Sequence, residues 1–125
     1  MRLVSLLALF AVSLNLPSSA SGPKSTTEQP DISRSGTDFL EVCSNNEATC
    51  LGWVEGFGDG LSVHDELLGI PEKDRMVCKP RGVTTIRTMQ IIRKYITDNP
   101  AKAHRPTRYN ASVALAGAFP CKRGK

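Results

Sequence analysis

Apolar residues return at three- and four-residue spacing in three separate stretches of the chain, which is the period of an amphipathic helix. The longest stretch carries Leu51, Val54, Phe57/Gly58 and Leu61, with Leu67 and Leu68 following. A second places Ile86, Met89, Ile92/Arg93 and Ile96 on one side, with Ile91 and Tyr95 beside them and Arg87, Gln90 and Lys94 opposite. A third sets Tyr109, Val113 and Ala116 with Leu115, Ala118 and Phe119. Phe39, Leu40 and Val42 predict a shorter first helix after the cap pair Thr37-Asp38, broken at Ser44-Asn45-Asn46.

The stops agree with this reading. Gly69 and Pro71 end the long helix that begins near Glu47, Thr84 or Thr85 caps the next, Asn99-Pro100 closes it, and Pro106 and Pro120 bracket the last. No alternation of useful length predicts a strand. The expected fold class is all-α, a small disulfide-stapled bundle of about four helices.

Glycine changes the picture of the long helix. Gly52, Gly56 and Gly60 stand four apart and form a smooth stripe, at about 0.5–1 kcal/mol each relative to alanine. Close helix packing within this chain is the expected use, and a docking groove for a partner is the alternative. Glu55 and Asp59 interrupt the run, so the spacing does not describe a membrane helix.

The chain opens like a secretory signal peptide over residues 1–20, with Arg2, an apolar run from Leu3 to Leu16, and Pro17-Ser18-Ser19-Ala20. Residues 21–36 are rich in Ser, Thr, Pro and Gly and read as a disordered leader. That leaves one helical domain over residues 37–121 and a basic tail over residues 122–125. No later run reaches the roughly 18 apolar residues of a membrane span. An exported, soluble protein with no membrane partner is expected.

Export changes the meaning of Cys43, Cys50, Cys78 and Cys121, which become candidates for disulfides rather than zinc ligands. Cys43 and Cys50 lie at the start of the long helix, and Cys78 lies before the next one. A return along that helix covers about 25 Å, within reach of an extended connection. This favours Cys50–Cys78 with Cys43–Cys121, the swapped pairing also being open. Cys43–Cys50 is disfavoured if helix fills the interval.

Charge is divided along the chain. Asp38 to Asp74 holds nine acidic residues against Lys73, whereas Arg75 to the end holds twelve basic residues against Asp98. Such asymmetry steers charged partners. The basic side (Arg87, Lys94, Arg108, Lys122, Arg123 and Lys125) reads as a solvated face, because aromatics are few and an exported chain seldom meets nucleic acid. His64 and His104 lack metal-ligand spacing, and His64-Asp65-Glu66 fans outward on a helix. No phosphate loop, nucleophile elbow or metal motif is present, so neither an enzyme, a cofactor nor a metal is expected.

Four motifs in order then carry a family resemblance. Cys50-Leu51-Gly52-Trp53-Val54-Glu55-Gly56 with Asp59-Gly60 resembles the CLGYIxGxxDG helix of the Rap/Tai immunity proteins of type VI secretion. Cys78-Lys79-Pro80-Arg81-Gly82-Val83-Thr84 resembles their CxPxGVT segment. Tyr95-Ile96 with Asn99-Pro100 and His104 resembles YLxxHPExxH, and Ala118-Phe119-Pro120-Cys121 resembles AFPC. The resemblance spans Asp38 to Cys121, with Trp53 in place of the usual tyrosine and a longer leader. It implies a helical periplasmic protein, often a homodimer, that plugs the cleft of a peptidoglycan-cleaving amidase effector similar to papain-like hydrolases.

A plug needs a projecting, constrained element, and the connection from Gly69 to Gly82 fits that need. Glu72, Lys73, Asp74 and Arg75 are therefore the expected partner-binding residues. A periplasmic chaperone or an orphan interaction module is the rival class, and binding to peptidoglycan itself is a third.

Overall fold

The computed structural model describes residues 29–122. The signal-peptide reading of residues 1–20, the leader through Glu28 and the tail beyond Lys122 fall outside the described residues. Within them the helices are α1 (Gly36–Asn45), α2 (Glu47–Leu67), α3 (Thr85–Asp98) and α4 (Thr107–Ala118), with single-turn helices at Glu72–Asp74 and Pro100–Lys102 and no strand. The fold is the all-α bundle that the periodicity predicts.

Capping explains where α1 begins. Ser35 Oγ accepts from the Asp38 backbone N–H at 3.2 Å, and its own hydroxyl donates to Asp38 Oδ2 at 2.5 Å. This reciprocal pair starts the helix before Thr37, where the cap was expected. The order also begins before residue 37, which corrects the proposed leader. Ile32 packs against the core, the Thr107 N–H donates to Ser33 O at 3.2 Å, and Gly36 N–H donates to Arg105 O at 3.1 Å. Composition concealed this because the anchors are backbone carbonyls, which any sequence supplies.

α1 and α2 fold against each other about a single joint residue. Asn46 (φ −148°, ψ 87°) ends α1, and its side-chain oxygen accepts from Thr49 N–H at 3.0 Å to cap α2. Phe39 and Trp53 consequently meet edge to face at 5.5 Å between centroids. The joint also settles a disulfide. On one straight helix residues seven apart would stand about 10.5 Å apart along the axis; the fold at Asn46 brings Cys43 and Cys50 to 4.9 Å between Cα atoms, and they are bonded. The second bridge is Cys78–Cys121. Both observed pairs differ from those favoured by the reach argument. The crossover does not return along all of α2: Lys79 lines a cleft with Gly58 and Ser62, near the middle of the helix.

The core gathers Phe39, Val42, Cys43, Cys50, Val54, Met89, Ile92, Ile96, Ala111, Ala114 and Leu115 from all four helices. Two inward faces differ from the apolar pattern. On α3, Thr88 is buried, its hydroxyl donating to Thr84 O at 3.0 Å, while Ile86 is exposed. On α4, Thr107 and Asn110 are fully buried, whereas Val113 and Ala118 face solvent. A pattern counted on apolar residues misses polar side chains whose partners are backbone oxygens.

Two expected outcomes follow from the start of α1. A Cβ at Gly36 would meet Asn110 Nδ2 at 2.9 Å, Ala103 O at 3.0 Å and Ile96 Cγ2 at 3.1 Å. Gly36→Ala should therefore destabilise the fold by about 1–3 kcal/mol in denaturant unfolding; unchanged stability would refute the tight junction. Nearby, hydrogen bonds from Arg34 and then Ser35 hold the Asp38 carboxyl down at about 2, below its ordinary 3.8. A depressed acid stabilises the fold above its unfolded value and loses that effect as pH falls through the folded one. Asp38→Asn should lower Tm by about 2–5 °C at pH 7, and the gap should close between pH values of about 4 and 2.

Candidate functional site

The Gly69–Gly82 connection, or crossover, is framed by two left-handed turns. Gly69 (φ 59°) and Gly82 (φ 87°) are the positive-φ residues among those described. Such φ values strain any residue with a Cβ, so glycine at both ends lets the chain leave α2 and enter α3 sharply. Ile70 N–H donates to Asp65 O at 2.9 Å, closing the end of α2.

Between these turns the crossover is built from its own groups. Asp74 N–H donates to Pro71 O at 2.9 Å and Arg75 N–H to Glu72 O at 3.2 Å, which makes the single turn Glu72–Asp74. Arg75 Nε reaches back to donate to Ile70 O at 3.1 Å and lies 3.8 Å from Asp65 Oδ2. Lys73 Nζ pairs with Asp74 at 3.2 Å, both side chains exposed. The far end is fastened to the end of α4, through the Cys78–Cys121 bridge and a hydrogen bond from Cys78 N–H to Phe119 O at 2.9 Å. Glu72, Lys73, Asp74 and Arg75 thus stand together on one exposed, tethered turn.

Clefts lie on either side of it. One, of about 610 Å³, is lined by Lys73–Met76 with Ala116, Pro120 and Cys121. The other, of about 620 Å³, lies between the crossover and α2, and its lining includes Gly58, Ser62, Asp65 and Glu66 of α2 with Lys79 and Arg81. The crossover is a charged ridge between two grooves, a shape suited to insertion rather than to enclosing a small ligand. Among the described residues no three His, Cys, Asp or Glu side chains are placed to hold a metal ion. His64 sits on α2, 3.2 Å from Asp65, and His104 is exposed before α4.

Sequence reasoning missed the apolar surroundings of the ridge. Leu67 is 80% exposed, Leu68 67%, Met76 56% and Val63 51%. Leu67 and Leu68 look like continued core in the helical pattern, but Phe57 is the last α2 side chain packed against the core. Their signal was Gly69 immediately afterwards, which leaves the last turn of α2 unsupported.

The glycine stripe is also corrected. An added Cβ at Gly52, Gly56 or Gly60 meets nothing within 4 Å. These glycines therefore allow no close helix contact inside the chain; they lie on the solvent side of α2, opposite Cys50 and Val54. Their neighbours Trp53 and Phe57 stack at 5.2 Å with planes 6° apart, the pair joining Phe39 beside the core.

The family model of the Rap1a immunity proteins matches residues 35–121. The chain belongs to this family, and the match covers the bundle, both disulfides and the whole crossover. No curated protein and no solved structure gave a significant match. No described helix is long and apolar enough to cross a membrane.

The open stripe makes a stability prediction. Gly56→Ala should stabilise the isolated protein by about 0.5–1 kcal/mol, since it improves helix propensity and meets no neighbour. Denaturant unfolding checks it, and a loss of stability would mean that the stripe is covered in solution.

Proposed function

We propose that the chain is a periplasmic immunity protein of type VI secretion that binds a peptidoglycan amidase effector and blocks its catalytic cleft with the crossover. Family membership supports an immunity role with an effector protein as partner. The observation that carries the mode of action is the exposed turn Glu72–Asp74, held between the Arg75 clamp and the Cys78–Cys121 bridge. A tethered ridge enters a cleft with little left to order, so less of the contact energy is lost to entropy.

The parts divide the work. Glu72 and Asp74 present carboxylates, and Lys73 and Arg75 present cations, at the tip where an amidase cleft would hold its nucleophile and base. Leu67, Leu68 and Met76 are exposed around that tip and supply apolar anchors. The charged centre sets the register, while the apolar rim excludes water. Inhibition by occupancy needs no chemistry from the immunity protein itself. The reading includes export through residues 1–20, consistent with both bridges, and the homodimer that the resemblance implies.

The first experiment is a pull-down with the tagged, oxidised protein from the secreted and periplasmic fraction at neutral pH. One stoichiometric peptidoglycan hydrolase is the expected result; a scatter of unrelated clients would instead favour the chaperone class. With that hydrolase in hand, Glu72→Ala combined with Asp74→Ala should weaken inhibition at least tenfold while leaving far-UV circular dichroism unchanged. Undiminished inhibition would move the contact to the helix faces.

A further inference from the structure

The two disulfides occupy opposite environments. Cys43 and Cys50 are 4% and 0% exposed, inside the cluster that also contains Phe39 and Val54. Cys78 and Cys121 are half-buried, and each lines one of the grooves beside the crossover. Both grooves carry charge of mixed sign: Lys73 and Arg75 with Asp74 beside Cys121, and Arg75, Lys79 and Arg81 with Asp65, Glu66 and Glu72 beside Cys78. Access, not charge, separates the two bridges.

Thiol–disulfide exchange requires a thiolate to reach a sulfur and another thiolate to leave. A sulfur that opens on a groove can be reached, whereas burial keeps the reductant out and disfavours a leaving thiolate. The exposed bridge is also the one with a movable load. From Gly69 to Gly82 no residue is fully buried. Apart from the bridge, the crossover is held by Arg75, by the Cys78 N–H bond to Phe119 O, and by Val77 packed against the core. The contacts that build the bundle lie between the helices and do not pass through Cys78.

We propose that Cys78–Cys121 is a redox latch on the crossover. A dithiol reductant opens it while Cys43–Cys50 stays closed, and opening frees the partner-facing ridge without dissolving the bundle. In the exchange, one thiolate of the reductant attacks a sulfur of the bridge and expels the other cysteine as a thiolate. The second thiolate of the reductant then resolves the mixed disulfide. Two electrons pass to the cysteine pair, which takes up two protons, and the reductant leaves as its own disulfide. That the freed ridge switches off inhibition rests on the immunity reading above; the opening itself does not.

The test titrates the oxidised protein with dithiothreitol at neutral pH, traps free thiols by alkylation, and locates them by peptide mass spectrometry. Cys78 and Cys121 should become labelled at a reductant concentration at least tenfold below that for Cys43 and Cys50. In the partly reduced protein, amide exchange across residues 70–78 should rise at least tenfold while far-UV circular dichroism is retained. The double variant Cys78→Ser, Cys121→Ser should reproduce the same exchange pattern without reductant. Joint reduction of both pairs, reduction of Cys43–Cys50 first, unaltered exchange in the crossover, or loss of helix signal with the first pair would each overturn the latch. All these readouts are made without a partner. Failure to capture a hydrolase would therefore remove the immunity reading and leave the latch standing, whereas a captured hydrolase cannot rescue a latch that does not open.

Discussion

The hydroxyl of Thr107 is the knot on which the arrangement of helices depends. Fully buried, its oxygen lies 2.5 Å from Ile32 O and 2.8 Å from Ser35 O, so one proton is shared between two carbonyls, of which Ser35 O also accepts the Phe39 N–H at 2.9 Å. Asn110, one turn later on α4, donates to Arg105 O at 3.0 Å and packs directly against Gly36. These contacts join parts of the chain more than seventy residues apart. Burying two polar side chains is costly unless they find partners; Thr107 finds carbonyls ahead of α1, and the Asn110 amide donates to Arg105 O and Pro106 O ahead of α4, its Oδ1 remaining unsatisfied. Specificity results as well as stability, because a one-residue slip of α4 would leave a buried hydroxyl and several carbonyls unsatisfied.

That knot secures one end of the bundle and leaves the other to covalent chemistry. The second bridge and the Cys78 N–H bond both fasten to the segment just after α4. Once Thr107 has fixed the start of α4, its twelve residues carry Phe119 and Cys121 to a set place, and the crossover is positioned by that place. A surface turn of Glu, Lys and Asp has no apolar reason to hold a shape. Its own hydrogen bonds form the turn, and its place is borrowed from the packed helix behind it through a sulfur bridge, one backbone hydrogen bond and Val77.

Helix number, the joint at Asn46, the cap at Thr84 and the stop at Asn99 were legible in the sequence, because each depends on local chemistry of the chain. Cys78–Cys121 was not, since it depends on how far the crossover travels, which tertiary packing decides. Cys43–Cys50 was missed for a different reason. A continuous helix from Cys43 to Cys50 would hold the sulfurs apart, whereas the break at Ser44-Asn45-Asn46 lets the chain fold back and bring them together. The inward threonines and Asn110 escaped notice because binary patterning assigns polar residues to solvent. The projecting Glu72–Arg75 turn was legible from Gly69, Pro71 and Gly82, while its rim of Leu67, Leu68 and Met76 was hidden by a periodicity that does not record where the core stops.

The distribution of glycine separates fold from function along this chain. Gly36 is enclosed by Asn110, Ala103 and Ile96, and Gly69 and Gly82 hold backbone that a Cβ would strain; these three serve the fold. Gly52, Gly56 and Gly60 serve nothing inside it, although three glycines in one helix cost about 1.5–3 kcal/mol together relative to alanine. A marginally stable domain that carries such a cost within a 21-residue helix has its compensation elsewhere. Cys43–Cys50 is well placed to supply it, because it locks the first turn of α2 to α1 directly ahead of the stripe. The buried bridge thereby lets α2 remain helical with a bare outer face, and the exposed bridge lets the crossover remain shaped without a core of its own.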